Sequence, residues 1–195
     1  MSDGEDILNE LHRGERSMPR IAMVNPDTVT PRDLVDAIRE RRGGRLQNID
    51  LMLLRNTRFA EGFNYFAPRV RFDTPVRRDL LELAICLVGL LNGAQYEYHH
   101  HLKVWKAEGA DDEKVKALGA VARGEAVDRF SPEETAVISL AQEMTRDVRV
   151  SDATFNRLGD FFDEEEIFGL VANIAFYNMV SRLLVALGVE LEPDA

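Results

Sequence analysis

The sequence predicts an all-α protein built from about eight to ten helices. Apolar residues recur at helical spacing along most of the chain, and no stretch alternates apolar and polar residues as a half-buried strand would. Glycines, prolines and N-cap residues separate the apolar stretches where helices are expected to start and stop. Hydrophobic residues make up 45% of the 195 positions and charged residues 30%, which is typical of a globular domain.

The first half of the chain is predicted to contain a tail and five helices. Residues 1–25 have few apolar positions, which indicates a flexible or partner-docked tail. The helices are predicted to start at Thr30-Pro31 and Thr74-Pro75, and to stop at Gly43-Gly44, before Pro68 and at Asn92-Gly93. The fifth helix is expected from about Ala94 to Glu108, with Gly109 ending it.

The second half is divided by the same kinds of residue. Its predicted helices begin at Asp111, at the capping box Ser131-Pro-Glu-Glu134, at Ser151 and at the acidic turn Asp163-Glu-Glu-Glu166. The last helix covers residues 167–187 and stops at Gly188. Residues 26–195 are therefore predicted to form a single helical domain.

Charge, cysteine content and hydropathy restrict the function classes. A formal net charge of -10 argues against a nucleic-acid-binding surface. The single cysteine, Cys86, excludes an intrachain disulfide and fits a reducing compartment. The longest apolar run, residues 80–91, is too short to span a bilayer, and the N-terminus has no signal-peptide pattern. We expect a cytoplasmic protein with neither a nucleic acid nor a membrane as partner.

The apolar run contains one carboxylate, Glu82, within a helix that is apolar all round and therefore predicted to be buried. A buried carboxylate must be paired, hydrogen-bonded or protonated. Glu82 is thus either a proton-transfer group or a structural carboxylate bonded to backbone N–H groups or to an arginine such as Arg182. Glu97 and His101 share a helical face four residues apart, either as part of the same site or as a surface ion pair.

Three consecutive histidines, His99, His100 and His101, do not predict a metal site. Successive helical residues are rotated by about 100°, so the three rings cannot converge on one centre. They also contain no His-x3-His pair. We expect no bound metal, and at least one of His99 and His100 is predicted to be solvated or at a subunit contact.

The last helix carries four polar residues in two pairs of i,i+4 spacing, Asn173 with Tyr177 and Asn178 with Arg182. Buried polar groups need hydrogen-bond partners, so these residues either line a cavity or bond to a neighbouring loop. A structural role is the more frequent of the two. Trp105 and the aromatic residues between 59 and 66 are predicted to be core or interface, and Cys86 an inert buried thiol.

Glu82, the segment Asn92-Gly-Ala-Gln-Tyr-Glu-Tyr-His-His-His101 and the helix stop at Gly109 together resemble the carboxymuconolactone decarboxylase family. The resemblance extends from about residue 44 to residue 189 and includes the segment Ala175-Phe-Tyr-Asn-Met-Val-Ser-Arg182. It implies the alkylhydroperoxidase D-like helical bundle and a homo-oligomer, which could be a trimer, a hexamer or a dimer.

The sequence departs from the peroxidase branch of this fold, which carries Cys-x-x-Cys-x-x-x-His and a glutamate twelve residues before the first cysteine. Glu82 and His101 match the glutamate and the histidine, but Ala94 and Glu97 occupy the cysteine positions. Thiol–disulfide chemistry needs two thiols, so thiol peroxidase activity is not expected. The Glu97-x-x-x-His101 spacing instead resembles the decarboxylase branch, whose members are shorter and are not expected to have a counterpart of Glu82.

The resemblance implies a cofactor-free acid–base enzyme, a decarboxylase or other lyase or an isomerase, with a small carboxylic acid or lactone as substrate. His101 would donate a proton to a carbanion or enolate, Glu97 would orient it, and Glu82 would be a buried acid or base. Arg182 would bind a substrate carboxylate. The other residues predicted to bind substrate are Tyr96, Tyr177 and Asn178. The alternative is a non-catalytic, oligomeric binding module of the same fold.

Overall fold

The computed structural model of the protein describes residues 19–193, which form nine α-helices and one short 3₁₀-helix and contain no strand. The 3₁₀-helix is Pro26–Thr28. The α-helices are α1 (Arg32–Arg41), α2 (Asn48–Leu53), α3 (Thr57–Phe72), α4 (Arg78–Asn92), α5 (Gln95–Ala107), α6 (Asp112–Ala122), α7 (Pro132–Arg146), α8 (Asp152–Leu158) and α9 (Glu164–Leu187). The prediction of an all-α protein with eight to ten helices is confirmed.

The described residues divide into two compact units. The larger unit is Thr74–Val185 and holds α4 to α8 and nearly all of α9. The smaller unit comprises residues 19–73 and 186–193 and holds α1 to α3. Every residue predicted from the sequence to act in catalysis or substrate binding lies in the larger unit.

Helix α4 is the core of the larger unit. All residues from position 80 to position 90 are buried, Glu82 among them. The helix packs against α5, α6 and α7. These three helices cover its apolar surface, as a helix that is apolar on all sides requires. Burial of one leucine side chain stabilises a fold by about 1.5–3 kcal/mol, and five leucines of α4 are buried.

Gly93, which has a left-handed backbone conformation, forms the turn between α4 and α5. Gly93 has a φ of 65°, which a residue without a Cβ adopts at no steric cost. The Ala94 N–H donates to the Gly89 carbonyl at 2.8 Å, and the Gly93 N–H donates to the Leu90 carbonyl at 3.2 Å. This pair of bonds is the Schellman pattern, and it ends α4 so that α5 can begin at Gln95.

Gly89 allows α5 to lie unusually close to α4. A Cβ added to Gly89 would lie 3.2 Å from the backbone nitrogen and 3.3 Å from the Cβ of Tyr98. These separations are shorter than the usual contact distance between non-bonded carbon atoms. Because α5 carries Glu97 and His101, this contact sets the distance of both side chains from α4.

The smaller unit has its own buried cluster and one buried carboxylate. The cluster contains Val29, Val35, Ile38, Leu54 and Ala60. Asp50 accepts hydrogen bonds from Arg42 at 2.9 Å, from Arg41 at 3.3 Å and from the Gln47 N–H at 2.9 Å. Two guanidinium groups and a helix N-terminus thus compensate its burial.

The predicted tail is described only in part, because residues 1–18 lie outside the described residues. The remainder, residues 19–25, is hydrogen-bonded within the smaller unit. The Arg20 N–H donates to the Leu187 carbonyl at 2.9 Å, and the Val24 N–H donates to the Leu51 carbonyl at 3.4 Å. This part of the segment is therefore anchored by backbone hydrogen bonds.

Side-chain caps place several helix starts where the sequence predicted them. Asp111, Ser131 and Ser151 each accept a hydrogen bond from the backbone N–H three residues later, and Ser131 forms the complete capping box with Glu134. The predicted starts of α6, α7 and α8 are confirmed. Helix α1 begins at Arg32, with Pro31 at its N-cap position, one residue later than predicted.

Two predicted helix ends that relied on proline are wrong. Helix α3 continues through Pro68 to Phe72. Pro68 is only half-buried, and the buried residues Ala67 and Val70 hold the last turn in place although one backbone hydrogen bond is missing. Helix α4 begins at Arg78 rather than at Thr74-Pro75, because the Thr74 hydroxyl accepts a hydrogen bond from the Val76 N–H at 3.4 Å in a short turn.

Helix α9 is long and strongly apolar. Among the described residues it is the one helix that could cross a membrane by length and composition, with a mean hydropathy of 1.6 over its most apolar window. Half of that window is buried inside the protein, and buried core helices of similar length and composition meet the same criterion. The sequence predicted this helix over residues 167–187, but its apolar run is shorter than that of residues 80–91 because Asn173, Asn178 and Arg182 interrupt it.

The contact at Gly89 leads to a stability prediction. We expect Gly89→Val to lower the free energy of unfolding by about 1–3 kcal/mol, because the added methyl groups overpack the α4–α5 contact. Gly62→Val is the matched control: Gly62 is also helical, but an added Cβ would have nothing within 4 Å. Its unfolding free energy should stay within about 0.5 kcal/mol of the wild type in urea titrations. Equal effects of the two variants would contradict the close α4–α5 contact.

Candidate active site

Glu82, Glu97 and His101 form a three-residue cluster in the larger unit. The Nδ1 atom of His101 lies 2.5 Å from Oε2 of Glu82, and its Nε2 atom lies 3.0 Å from Oε1 of Glu97. The exposed fractions are 2% for Glu82, 5% for Glu97 and 7% for His101. One imidazole therefore joins two carboxylates that are shielded from water.

Two helices and the turn between them assemble this cluster. Glu97 and His101 are one turn apart on α5, so the i,i+4 spacing places Glu97 against the Nε2 atom. Glu82 comes from the buried helix α4. The Gly93 turn reverses the chain between the two helices, and the Gly89 contact brings them close enough for His101 to reach Glu82.

The geometry of the cluster implies that it holds a shared proton. Both ring nitrogens of His101 face carboxylate oxygens. A neutral imidazole has one N–H donor and one lone pair, so it can donate to only one of the two carboxylates. Either the ring is an imidazolium that donates to both glutamates, or one glutamate carries a proton and donates to the ring. In both states a proton lies between neighbouring groups.

Opposing effects act on the pKa of His101. Burial lowers the pKa, but the hydrogen bonds to Glu82 and Glu97, together with the charges of those carboxylates, outweigh burial. The net result is a pKa raised above the ordinary value of 6.5. The two carboxylates therefore shift the protonation equilibrium of His101 towards the imidazolium.

Arg78 is a charged neighbour of the cluster that the sequence analysis did not identify. Its Nη2 atom lies 3.8 Å from Oε1 of Glu82, and its Nε atom lies 3.2 Å from Oε1 of Glu108. The side chain is 34% exposed, so it connects the buried carboxylate with the surface. The available signal was the i,i+4 spacing of Arg78 and Glu82 on one helix.

Tyr177 covers one side of the imidazole. Its ring centroid lies 4.9 Å from that of His101, with an interplanar angle of 79°. Tyr177 is 3% exposed, and Phe176 lies edge-on to it at 5.3 Å. The aromatic rings help to exclude water from the cluster, which strengthens its electrostatic interactions. Of the residues predicted to bind substrate, Tyr177 is in direct contact with a cluster member.

Asn178 and Arg182 belong to a separate hydrogen-bond network. The Asn178 amide nitrogen donates to Thr145 Oγ1 and to the Ile174 carbonyl, each at 3.0 Å. Its amide oxygen accepts from Asn92 at 3.0 Å and from Arg182. Arg182 is exposed and also donates to the Asn178 carbonyl at 3.0 Å. The network ties α9 to the last residue of α4, as the structural interpretation of these polar residues predicts.

The remaining histidines of α5 point away from the cluster. The ring of His100 lies 4.5 Å from that of Tyr96, and His99 lies edge-on to His100 at 5.7 Å. Tyr96 is 4% exposed, and both histidines are half-buried. Within residues 19–193 no group of three or more histidine, cysteine, aspartate or glutamate side chains has an arrangement that could hold a metal ion.

Cys86 lies on α4 and is completely buried. Burial, followed by the charges of Glu82 and Glu97, raises the pKa of its thiol well above the ordinary value. A thiol in this environment stays protonated at neutral pH and is a poor nucleophile. Burial and, to a lesser extent, the nearby carboxylates therefore suppress thiolate chemistry at this position.

A polar ridge on α9 continues from Tyr177 in both directions. Asn173, Tyr177 and Ser181 are spaced by four residues and share one helical face. Asn173 and Ser181 are 0% exposed, yet neither amide atom of Asn173 nor the Ser181 hydroxyl has a hydrogen-bond partner in the described part of the chain. Ser181 was missed from the sequence, although the repeated spacing of four could have revealed it.

Comparison with known proteins gives one relative of moderate similarity. No family model matches the chain. The uncharacterised protein YdfG of Bacillus subtilis (strain 168) is 28% identical over 118 residues, which cover 60% of this chain and 78% of YdfG.

Solved structures give a much more extensive match. A peroxidase-related protein from Ralstonia eutropha JMP134 with an alkylhydroperoxidase AhpD core superposes with a TM-score of 0.75 at 18% identity, over 92% of this chain and 95% of that one. A peroxidase-related protein from Silicibacter sp. TM1040 gives 0.73 at 16% identity, over 93% and 95%. A variant of the debrominase Bmp8 in complex with 2,3,4-tribromopyrrole gives 0.74 at 18% identity, over 92% and 95%.

The chain has the alkylhydroperoxidase D-like fold. The fold that the resemblance implied is thereby confirmed, since the superpositions cover more than nine tenths of both chains. The superpositions show a shared fold, and because the sequence identities are only 16–18%, the reaction has to be argued from the site residues.

The raised pKa of His101 predicts how stability depends on pH. The unfolded chain protonates this histidine near 6.5, whereas the folded chain does so at a higher pH. The stabilisation is therefore fully present below about pH 6.5 and is lost as the pH rises through the folded-state pKa. The unfolding free energy of the wild type minus that of His101→Gln should fall as the pH increases from about 6.5 to 9.

Chemical denaturation at several pH values measures this difference. Glu97→Gln removes one of the two carboxylates that raise the pKa of His101, so this variant should show a shallower pH dependence than the wild type. A difference between wild type and His101→Gln that stays flat or grows with pH would contradict the assignment of a stabilised imidazolium.

Proposed function

We propose that this protein is a cofactor-free acid–base enzyme, a decarboxylase or other lyase or an isomerase, that acts on a small carboxylic acid or lactone. The observation that carries the proposal is the buried Glu82–His101–Glu97 cluster, with 2.5 and 3.0 Å between the imidazole nitrogens and the two carboxylates. A proton shared between groups of this kind can be delivered to a substrate and replaced near neutral pH.

The proposed reaction uses His101 as proton donor. In a decarboxylation, the bond to the leaving carboxylate breaks, carbon dioxide departs, and the electron pair stays on carbon as an enolate or carbanion. His101 then transfers a proton to that carbon, and Glu97 orients the ring. Glu82, an acceptor at the opposite ring nitrogen, stabilises the imidazolium before the transfer, and a proton taken up from solvent restores the imidazolium afterwards.

Substrate binding requires a cation and further hydrogen bonds. Arg182 is the predicted carboxylate-binding residue, although it is exposed and already donates to Asn178. Arg78 is a second candidate, because it is the cation that lies against Glu82. Tyr96, Tyr177 and Asn178 stay predicted substrate-binding residues. Asn173 and Ser181 extend the ridge that holds Tyr177, and the Asn173 amide nitrogen and the Ser181 hydroxyl can donate to a carbonyl or carboxylate oxygen.

The second candidate function is a non-catalytic binding or assembly module of the same fold. One observation favours it: both nitrogens of His101 are already paired, and the cluster is nearly enclosed. A buried ion pair with these properties can serve stability alone. For either function we expect a cytoplasmic protein.

A substrate screen with site variants separates the two functions. The assay measures turnover of a panel of small carboxylic acids and lactones, with a thermal-shift assay run in parallel to detect binding. We expect His101→Gln, Glu97→Gln and Glu82→Gln to lower kcat by about 100-fold or more while the proteins stay folded. Lys103→Gln is the control, because Lys103 is an exposed residue of the same helix.

The outcomes of the screen are distinct. Turnover that His101→Gln abolishes and Lys103→Gln preserves supports the enzyme. Binding without turnover of any compound supports the binding module. Turnover that survives in all three cluster variants would contradict the proposed roles of these residues.

The buried thiol leads to a prediction about redox chemistry. The chain has one cysteine, and its thiol is held protonated by burial and by neighbouring carboxylates. We expect no reduction of organic peroxides with a dithiol reductant, and Cys86→Ser should keep nearly all of the acid–base activity. Peroxide turnover that depends on Cys86 would contradict this expectation. The expectation differs from the activity that the names of the peroxidase-related structural neighbours suggest.

A further inference from the structure

Arg78 lies between a buried carboxylate and a surface carboxylate of the larger unit. Its Nη2 atom is 3.8 Å from Oε1 of Glu82, and its Nε atom is 3.2 Å from Oε1 of Glu108. The side chain of Arg78 is 34% exposed and that of Glu108 is 36% exposed, whereas Glu82 is buried. The guanidinium therefore brings a positive charge from the surface to one oxygen of a carboxylate that water hardly reaches.

We propose that Arg78 is a positioning residue that keeps the shared proton of the cluster on the ring of His101 rather than on Glu82. Arg78 acts through Glu82, whose other oxygen, Oε2, lies 2.5 Å from Nδ1 of His101. The inference rests on the proposed function in one respect, because it explains how the proposed proton donor acquires its proton. Arg182 stays the predicted carboxylate-binding residue.

Two positions of the proton compete in the cluster. With the proton on Nδ1, the ring is an imidazolium and Glu82 is a charged carboxylate. With the proton on Oε2 of Glu82, both groups are neutral. Burial favours the neutral pair, whereas a cation beside the carboxylate favours the charged pair. The ion pair of Arg78 is with Oε1, the oxygen of Glu82 that does not face the ring, so it stabilises the charged carboxylate without displacing His101.

The other titratable side chains that face Glu82 and His101 do not supply this charge. In the described part of the chain they are Cys86 of α4, Glu97 of α5 and Tyr177 of α9. A thiol and a phenol are uncharged near neutral pH. Glu97 attracts a charged ring but repels a charged Glu82, so its two effects on the proton oppose each other.

The position of Arg78 in α4 also indicates a role outside helix stability. Arg78 is the first residue of the helix, where a cation opposes the helix dipole. Its i,i+4 spacing to Glu82 places the two side chains on one face of α4. The contact with Glu108, the C-cap residue of α5, lies on the outer side of the guanidinium. The arginine is thus placed where it serves Glu82 at a cost to the helix start.

Nitrogen NMR of ¹⁵N-histidine-labelled protein at pH 7 tests the position of the proton. The wild type should carry protons on both ring nitrogens of His101, and Arg78→Gln should lose the proton on Nδ1. Arg78→Lys keeps the cation and should restore it. Arg77→Gln is the matched control with the same change of charge, because Arg77 is 58% exposed and pairs with Asp79 and Glu133.

Glu108→Gln separates the charge of Arg78 from its ion pair at the surface. This variant removes the outer contact of the guanidinium but leaves its charge beside Glu82, so Nδ1 of His101 should stay protonated. Circular dichroism confirms that each variant is folded. A ring that stays doubly protonated in Arg78→Gln, or one that loses the Nδ1 proton in Glu108→Gln or Arg77→Gln, would overturn the proposal, as would a wild-type ring without that proton.

Kinetics on a compound that the substrate screen identifies give a second test. Arg78→Gln should lower kcat by about tenfold or more and leave KM nearly unchanged, because the donor has lost its proton, and Arg78→Lys should recover most of kcat. A raised KM with an unchanged kcat would make Arg78 a substrate-binding residue and overturn the positioning role. Absence of turnover of any compound, together with the expected NMR result, would contradict the proposed function and leave the proton position assigned.

Discussion

The imidazole of His101 lies between two buried carboxylates, and most of the larger unit can be understood as the structure that holds this arrangement. Removing a carboxylate or an imidazole from water is costly unless charged partners and hydrogen bonds compensate. Here each ring nitrogen has a carboxylate partner, and Arg78 adds positive charge beside Glu82. Loss of one member leaves an uncompensated buried group, which lowers the free energy of unfolding.

Two glycines make the cluster geometrically possible. Gly93, with a φ of 65°, reverses the chain between α4 and α5, and Gly89 removes the Cβ that would separate the helices. The aromatic ring of Tyr177 then covers one side of the imidazole. Solved structures with this fold include peroxidase-related proteins and a debrominase, so the fold alone does not identify the reaction of this chain.

The sequence was sufficient to predict the helices with strong local signals and the contact of Glu97 with His101. The apolar residues 80–91 indicated a buried helix, and the spacing of Glu97 and His101 indicated a shared face. The contact of Glu82 with His101 depends on the angle of the Gly93 turn and on the close packing of α5 against α4 at Gly89. Residue spacing in the sequence predicts neither of these. The predicted helix end before Pro68 was wrong because the burial of Ala67 and Val70 outweighs one missing hydrogen bond. Arg78 was missed because an exposed arginine at a helix start is common.

We infer that His101 holds a proton between Glu82 and Glu97 near neutral pH. Nitrogen NMR of protein with ¹⁵N-labelled histidine, with His101 assigned by comparison with His101→Gln, reports directly on both ring nitrogens. We predict that both carry protons at pH 7 and that the titration midpoint lies above the ordinary value of 6.5. A neutral ring with a single N–H at pH 7, together with a titration midpoint at or below 6.5, would contradict the inference that His101 holds a proton between the two glutamates.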